Sequence, residues 1–270
     1  MATVRALAVA AMACLLAAGG AHAQDADVGS SAIVSPTSNA LVSIRRSEPH
    51  SEVALLVGGA VVDSSAVSGL ARAVVQLEGS FAPSPRWEIF ATVNPLAYRW
   101  VQLAGQTNTL LAFGSTTVGA TWVPISLPGG RLDGGFFLRA LLPTSVEVKD
   151  TYAFGFQPGF TFRGVAAPWL AWFGGVSFRL TRAWGAVLTD TQTGVSGTVG
   201  LALVPAAWLR VVAQASLNVP FAGGYEQVSP GVGVRMIEGP FAAELGAVMT
   251  LGAPLRPFSA VARVSWRFGR

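Results

Sequence analysis

The chain has 270 residues, of which 51% are hydrophobic and only 12% charged, and its mean hydropathy is +0.51. A soluble domain of this size carries about a quarter charged residues, so the composition excludes an ordinary soluble globule. It excludes a helical membrane protein as well, because a spanning helix needs roughly 20 mostly apolar residues. The longest charge-free stretches after the first twenty-odd residues, Leu103 to Gly130 and Thr191 to Leu209, are broken by Gln, Asn, Thr, Ser, Gly and Pro. High hydropathy without helical spans points to a closed β-sheet, the other structure that pairs every backbone polar group inside hydrocarbon. The expected fold class is all-β, a transmembrane up-and-down antiparallel β-barrel.

Residues 1–23 read as a secretory signal: Arg5 supplies the charge, Ala6 to Ala18 the apolar core and Ala21-His22-Ala23 the small-residue cleavage site. The lone Cys14 lies in that apolar core and leaves with it. Residues 24–50 show neither alternation nor a helical stripe and are expected to form a flexible periplasmic lead-in, with the barrel over 51–270.

Apolar and polar residues then alternate in about twelve segments, as in a strand whose successive side chains face opposite ways. The expected strands are Glu52 to Val62, Leu70 to Phe81, Trp87 to Asn94, Thr109 to Val123, Leu132 to Leu142 and Thr151 to Arg163, followed by Trp169 to Thr181, Val195 to Val204, Leu209 to Val219, Gln227 to Met236, Phe241 to Leu251 and Phe258 to Phe268. The sixth is the clearest. Tyr152, Phe154, Phe156, Pro158, Phe160 and Phe162 share one face, and Ala153, Gly155, Gln157, Gly159, Thr161 and Arg163 the other. A membrane barrel puts the large apolar set towards lipid and the small and polar set towards the lumen.

Short links at 82–85, 128–131, 165–168, 205–207 and 238–240 alternate with longer ones such as Pro95 to Asn108, Pro143 to Asp150 and Arg182 to Gly194. Outer-membrane barrels have short periplasmic turns and longer outside loops, so the short links and both chain ends are expected on the periplasmic side. Trp87, Trp122, Trp169, Trp208 and Trp266 all fall near those short links, which predicts a periplasmic aromatic girdle.

On these patterns the stretch from Glu52 to Arg270 resembles the bacterial outer-membrane β-barrel class, porin-like in a generic sense. The last strand, FSAVARVSWRFGR, resembles the carboxy-terminal assembly signal of that class, with Trp266 and Phe268 as its aromatic positions. The resemblance implies a Gram-negative outer membrane, with outer-membrane lipid and the barrel-assembly machinery as partners. The class includes a phospholipase, solute channels and autotransporter translocators, so function must come from the interior.

Enzymatic chemistry is not expected. A serine hydrolase usually needs a histidine base, and His50, the single histidine after the signal, lies outside the expected barrel. One histidine without cysteine also gives no zinc site and no cofactor is implied. Parity places Arg72, Arg139, Arg163, Arg179, Arg210, Arg235, Arg263 and Arg267 inward, against Glu78, Glu88, Asp133 and Glu244. Charges in a confined lumen either pair across strands and plug it or line a water path that favours anions. The expectation is a narrow channel for passive diffusion of small, anionic solutes; the alternative is a non-conducting structural or surface-interaction barrel. At the periplasmic mouth, Glu244 is expected to stand alone among Arg210, Arg235, Arg263 and Arg267. Nucleic acid is not an expected partner, since the arginines are scattered singly.

Overall fold

The computed structural model describes residues 50–268 except 64–68, 104–105, 128–131, 145–150, 186–188, 222–225 and 252–255. The expected signal and nearly all of the lead-in lie outside the described residues. Thirteen strands run β1 (His50–Asp63), β2 (Gly69–Ser84), β3 (Trp87–Leu103), β4 (Gln106–Ala112), β5 (Thr116–Ser126), β6 (Asp133–Leu142), β7 (Thr151–Ala167), β8 (Leu170–Gly185), β9 (Thr189–Ala206), β10 (Leu209–Pro220), β11 (Gln227–Glu238), β12 (Phe241–Met249) and β13 (Arg256–Phe268). Twelve of them form a closed antiparallel ring in chain order, sealed where β1 pairs with β13; β4 stands outside the ring, paired with β3. His50, expected in the lead-in, is the first residue of β1 and pairs with Ala82.

Two-residue turns at Pro85-Arg86, Pro168-Trp169, Ala207-Trp208 and Gly239-Pro240 close one end of the barrel. Gly239 has φ 58°, the left-handed conformation that the primed hairpin turns use at their first central residue and that glycine adopts without a Cβ penalty. The expected short link at 128–131 lies outside the described residues, but Leu127 donates to the Leu132 carbonyl across it at 2.8 Å.

Three expected boundaries are corrected. Pro95 to Asn108, read as an outside loop, is the upper half of β3 and the start of β4. Proline lacks a ladder donor and reads as a strand end, yet here it sits in a bulge. Leu77 pairs with Val93 and Val75 with Leu96, so that Asn94 and Pro95 together oppose Gln76. The bulge inverts the parity of β3. Phe90, Thr92 and Asn94 face in below it, whereas Leu96 and Tyr98 face out above it, 43% and 37% exposed.

The single strand expected from Thr109 to Val123 is two, β4 and β5, interrupted at Phe113 to Ser115. Buried Asn94 spans that interruption: its backbone accepts from Gly114 N (2.8 Å) and donates to Ser115 O (3.3 Å), and its Nδ2 donates to Ser115 Oγ (3.4 Å). The long link expected from Arg182 to Gly194 is mostly sheet, with Arg182, Ala183 and Trp184 paired to Thr191, Asp190 and Thr189. Threonine is a good strand former, and Thr189 and Thr191 carry the ladder into the expected loop.

The outer face of the ring is apolar. Leu77, Ile89, Leu138, Val176, Leu201 and Val232 are each 49% exposed or more, and on β7 Tyr152 and Phe156 are 47% and 42% exposed. So continuous an apolar surface is one that lipid covers. Inside, Leu56, Val74, Ala202 and Val212 are at most 1% exposed. Glycines let aromatic rings cross the strands on this inner face. A Cβ at Gly119, Gly159 or Gly200 would overlap the ring of Phe90, Phe137 or Phe173 respectively.

Candidate functional site

The sheet register brings one row of inner-face side chains into line across six neighbouring strands. Gln76 on β2 opposes Leu56 on β1, Leu56 opposes Arg263 on β13, Arg263 opposes Glu244 on β12, Glu244 opposes Arg235 on β11, and Arg235 opposes Arg210 on β10. Arg235 and Glu244, both expected at the mouth, are direct register partners.

Arg263 is the hub of this row. Its Nε donates to Glu78 Oε2 at 2.7 Å, its Nη1 to Glu244 Oε1 at 3.1 Å and its Nη2 to Glu52 Oε1 at 2.8 Å. Each of three strands sends one carboxylate to a different nitrogen of the same planar fork, an arrangement that lysine's point charge cannot reproduce. Arg235 Nη1 donates to Glu244 Oε1 at 2.7 Å and Nη2 to Ser265 Oγ at 3.4 Å. Arg267 Nη2 reaches Glu52 Oε2 at 2.9 Å. Arg210 Nη1 donates to the carbonyls of Ala206, Ala207 and Leu209, at 2.8, 3.2 and 2.9 Å. Glu52, Arg210, Arg235, Glu244 and Arg263 are all under 9% exposed. Buried charges must be paired and hydrogen-bonded to be tolerated, and these largely are.

The expectation that Glu244 alone faces four guanidiniums is therefore corrected: Glu52 and Glu78 join it. Glu52 was passed over because it opens its strand, where facing is read from one neighbour; its inward parity was nevertheless in the sequence, two residues before buried Ala54 and four before buried Leu56.

Across the lumen, Arg163 pairs with Asp133, which also accepts from Ser126 Oγ at 2.6 Å. The Arg139 guanidinium lies between two inward rings, 5.5 Å from Phe90 and 5.0 Å from Phe137, within the range of cation–π attraction. Arg179 is half-buried on the inner face, with Ser177 and Thr181 on the same side of β8. The Arg72 backbone pairs with Ala60 and Arg99; its side chain lies outside what is described. Phe90, Phe137 and Phe173 are interior residues that sequence reading missed, since it assigned aromatics to the lipid face.

Towards the long-loop end the inner face turns neutral and polar. Ser196 bonds Asn218 (3.0 Å), Thr198 bonds Ser216 (3.0 Å) and Ser229 bonds Thr250 (3.1 Å). All six are half-buried, in contrast to the closely packed charged row. The interior is thus a polar vestibule above a charged waist. One side of the waist, formed by Ala171, Phe173, Ala202 and Val212, is apolar.

The five tryptophans all lie at the short-turn end and are 42 to 57% exposed. Trp87 stacks on Trp122 with centroids 6.0 Å apart, Trp122 on Phe136 at 6.3 Å, and Phe136 meets Phe160 edge-on at 5.2 Å. Trp266 stacks on Phe241 at 5.5 Å and meets Phe268 at 6.2 Å, with Trp266 and Phe268 both on the outer face.

No protein-family model and no curated protein matches the sequence. Solved structures do match in shape. An outer-membrane channel from Pseudomonas putida F1 superposes with a TM-score of 0.59 and 10% identity, over 92% of this chain and 100% of that one. The translocator domain of the autotransporter NalP from Neisseria meningitidis gives 0.58 and 13%, over 86% and 93%. The NanC porin gives 0.52 and 12%, over 78% and 98%. The chain has the fold of the outer-membrane β-barrels, and these neighbours include a porin and a channel.

Proposed function

We propose that the chain resides in the outer membrane, with its apolar face in lipid, and is a narrow channel for the passive diffusion of small anionic solutes. The observation that carries this reading is the charged waist. A barrel with nothing to pass could fill its whole interior with apolar side chains, as Ala171, Phe173, Ala202 and Val212 fill one sector. Buried ion pairs are often matched or exceeded in stability by apolar groups of similar volume. Retaining them in a lumen whose other half is polar suits passage of a charged solute. Arginines 139, 163, 179, 210, 235, 263 and 267 outnumber glutamates 52, 78, 88 and 244 plus Asp133 on the described inner face, and an excess of one sign sets selectivity. The tight packing of the waist favours a second reading, a non-conducting barrel whose outer loops bind a partner.

Replacing Arg210 and Arg267 together by Gln is expected to move the zero-current potential under a salt gradient towards cation preference. Glu244→Gln is expected to move it the other way. Heat-modifiable gel mobility checks that each variant is folded. An unchanged potential in both folded variants places these residues off any conducting path and favours the second reading.

In this account the two-residue turns face the periplasm, Trp87, Trp122, Trp169, Trp208 and Trp266 anchor that interface, and β13 with Trp266 and Phe268 is presented to the barrel-assembly machinery. A cysteine at Thr189, at the tip of the β8–β9 hairpin, is expected to react with an impermeant maleimide on intact cells, and one at Ala207 in a short turn is not. The reverse pattern overturns the orientation.

A further inference from the structure

Beside the waist, at the short-turn mouth, lies a small recess. Its walls are the β11–β12 turn, Ser265 and the side chains of Glu52, Arg210, Arg235 and Arg267. Arg210 and Arg235 are register partners, and like charges directly opposite one another destabilise a strand pair. The surrounding cluster sets Arg210, Arg235, Arg263 and Arg267 against Glu52, Glu78 and Glu244, four charges against three. Glu244 Oε1 is shared between Arg235 and Arg263, and Glu52 divides its two oxygens between Arg263 and Arg267. Arg235, only 5% exposed, keeps a buried Nε that has no hydrogen-bond partner among the described residues. The Arg267 side chain, 30% exposed, stands where the recess meets solvent.

The geometry points to a binding site in this recess for one small oxyanion of the phosphate class, held by Arg210, Arg235 and Arg267 with the Ser265 hydroxyl as a neutral donor. Guanidinium forks match the oxygen spacing of phosphate and carboxylate groups and form charge-assisted bonds with them. One such anion offsets the excess positive charge and separates the two facing arginines. The charged groups that line the recess lie on the inner face of the sheet, away from the lipid-facing side, which selects a free solute anion over a lipid headgroup. The site deepens the channel reading and rests on its view of the interior as anion-favouring, but the two fail separately: binding without conductance removes the channel and leaves the site, and conductance without binding does the opposite.

Equilibrium dialysis of the refolded full chain in lipid-free, non-ionic detergent against radiolabelled inorganic phosphate, at fixed ionic strength, tests the site. The expected result is saturable binding of one phosphate per barrel, displaced by sulfate and not by an equal concentration of chloride. Arg210→Gln and Arg267→Gln are each expected to weaken it by at least about tenfold, the effect of losing one hydrogen bond between charged groups. Arg182→Gln, on the outer face of β8, is expected to bind as the native chain does. If Arg210→Gln does not fold, Arg267→Gln, at the more exposed position, decides. Absence of saturable binding by the native barrel, binding that needs added phospholipid, or native affinity in a folded Arg267→Gln variant overturns the proposal.

Discussion

Replacing Arg263 by Gln is expected to destabilise the folded barrel by about 3–5 kcal/mol, the cost of removing one partner from a buried charge cluster. The reason lies in what remains. Glu52, Glu78 and Glu244 would stay on the inner face, with Glu244 side-chain exposure only 1% and Glu52 9%, and would repel one another in a medium that screens poorly. Arg263→Lys is expected to lie between the two: it keeps the charge, but a single ammonium cannot hold three carboxylates at the positions that Nε, Nη1 and Nη2 serve. Urea unfolding in detergent micelles, followed by tryptophan fluorescence, gives the comparison. A native midpoint for Arg263→Gln would mean that the cluster contributes nothing net to stability. A double substitution of Arg263 and Glu52 that costs less than the sum of the two singles would establish their coupling.

The second large effect is expected at Gly200. A Cβ there would overlap the Phe173 ring and lie 2.8 Å from the Ala213 carbonyl oxygen. Phe173 has little room to move, because it packs with Ala171, Ala202 and Val212 in the apolar sector of the lumen, where Ala202 and Val212 are 0% exposed. Gly200→Val therefore overpacks a closed site, at a cost of about 1–3 kcal/mol, and is expected to lower the fraction of chain recovered as the heat-modifiable folded form. Phe173→Leu in the same chain is expected to restore part of that yield by withdrawing the ring. Equal yields for native and Gly200→Val chains would show that this crossing of ring over glycine is unimportant.

Most of the barrel was legible in the sequence because lipid imposes a period of two on every spanning strand. Thr151 to Arg163 and Phe258 to Phe268 show it residue by residue, and the structure keeps both as strands with the aromatic side out. Legibility failed where the period slips. One extra residue at Asn94-Pro95 inverts the facing of β3 beyond it, and the matching break at Phe113 to Ser115 splits its neighbour. Parity counted along a chain cannot locate a bulge, because a bulge belongs to a pair of strands. The interior was legible in kind and not in arrangement. Parity named Arg263, Glu78 and Glu244 as inward, but the meeting of Glu52 with Arg263 across 211 positions depends on closure of β1 on β13. The inward rings of Phe90, Phe137 and Phe173 were hidden for another reason: each depends on a glycine in the adjacent strand, and such pairings are visible only once the register is known.

The charged waist also separates the two functional readings physically. In a plugged barrel the ion pairs are permanent ties, and their strength is the whole of their purpose. In a channel they are exchangeable contacts, in which an entering anion replaces a carboxylate on a guanidinium at small net cost and leaves by the reverse exchange. The position of the recess at the mouth, with Arg267 partly in solvent and Arg235 behind it, suits such an exchange.

The most direct measurement is the current through a planar lipid bilayer containing the purified, folded native chain. The channel account predicts discrete steps of small, uniform conductance, with a reversal potential under a salt gradient that reports anion preference. Protein that is folded by heat-modifiable mobility and inserted in the bilayer, yet gives no steps over repeated trials, would contradict it.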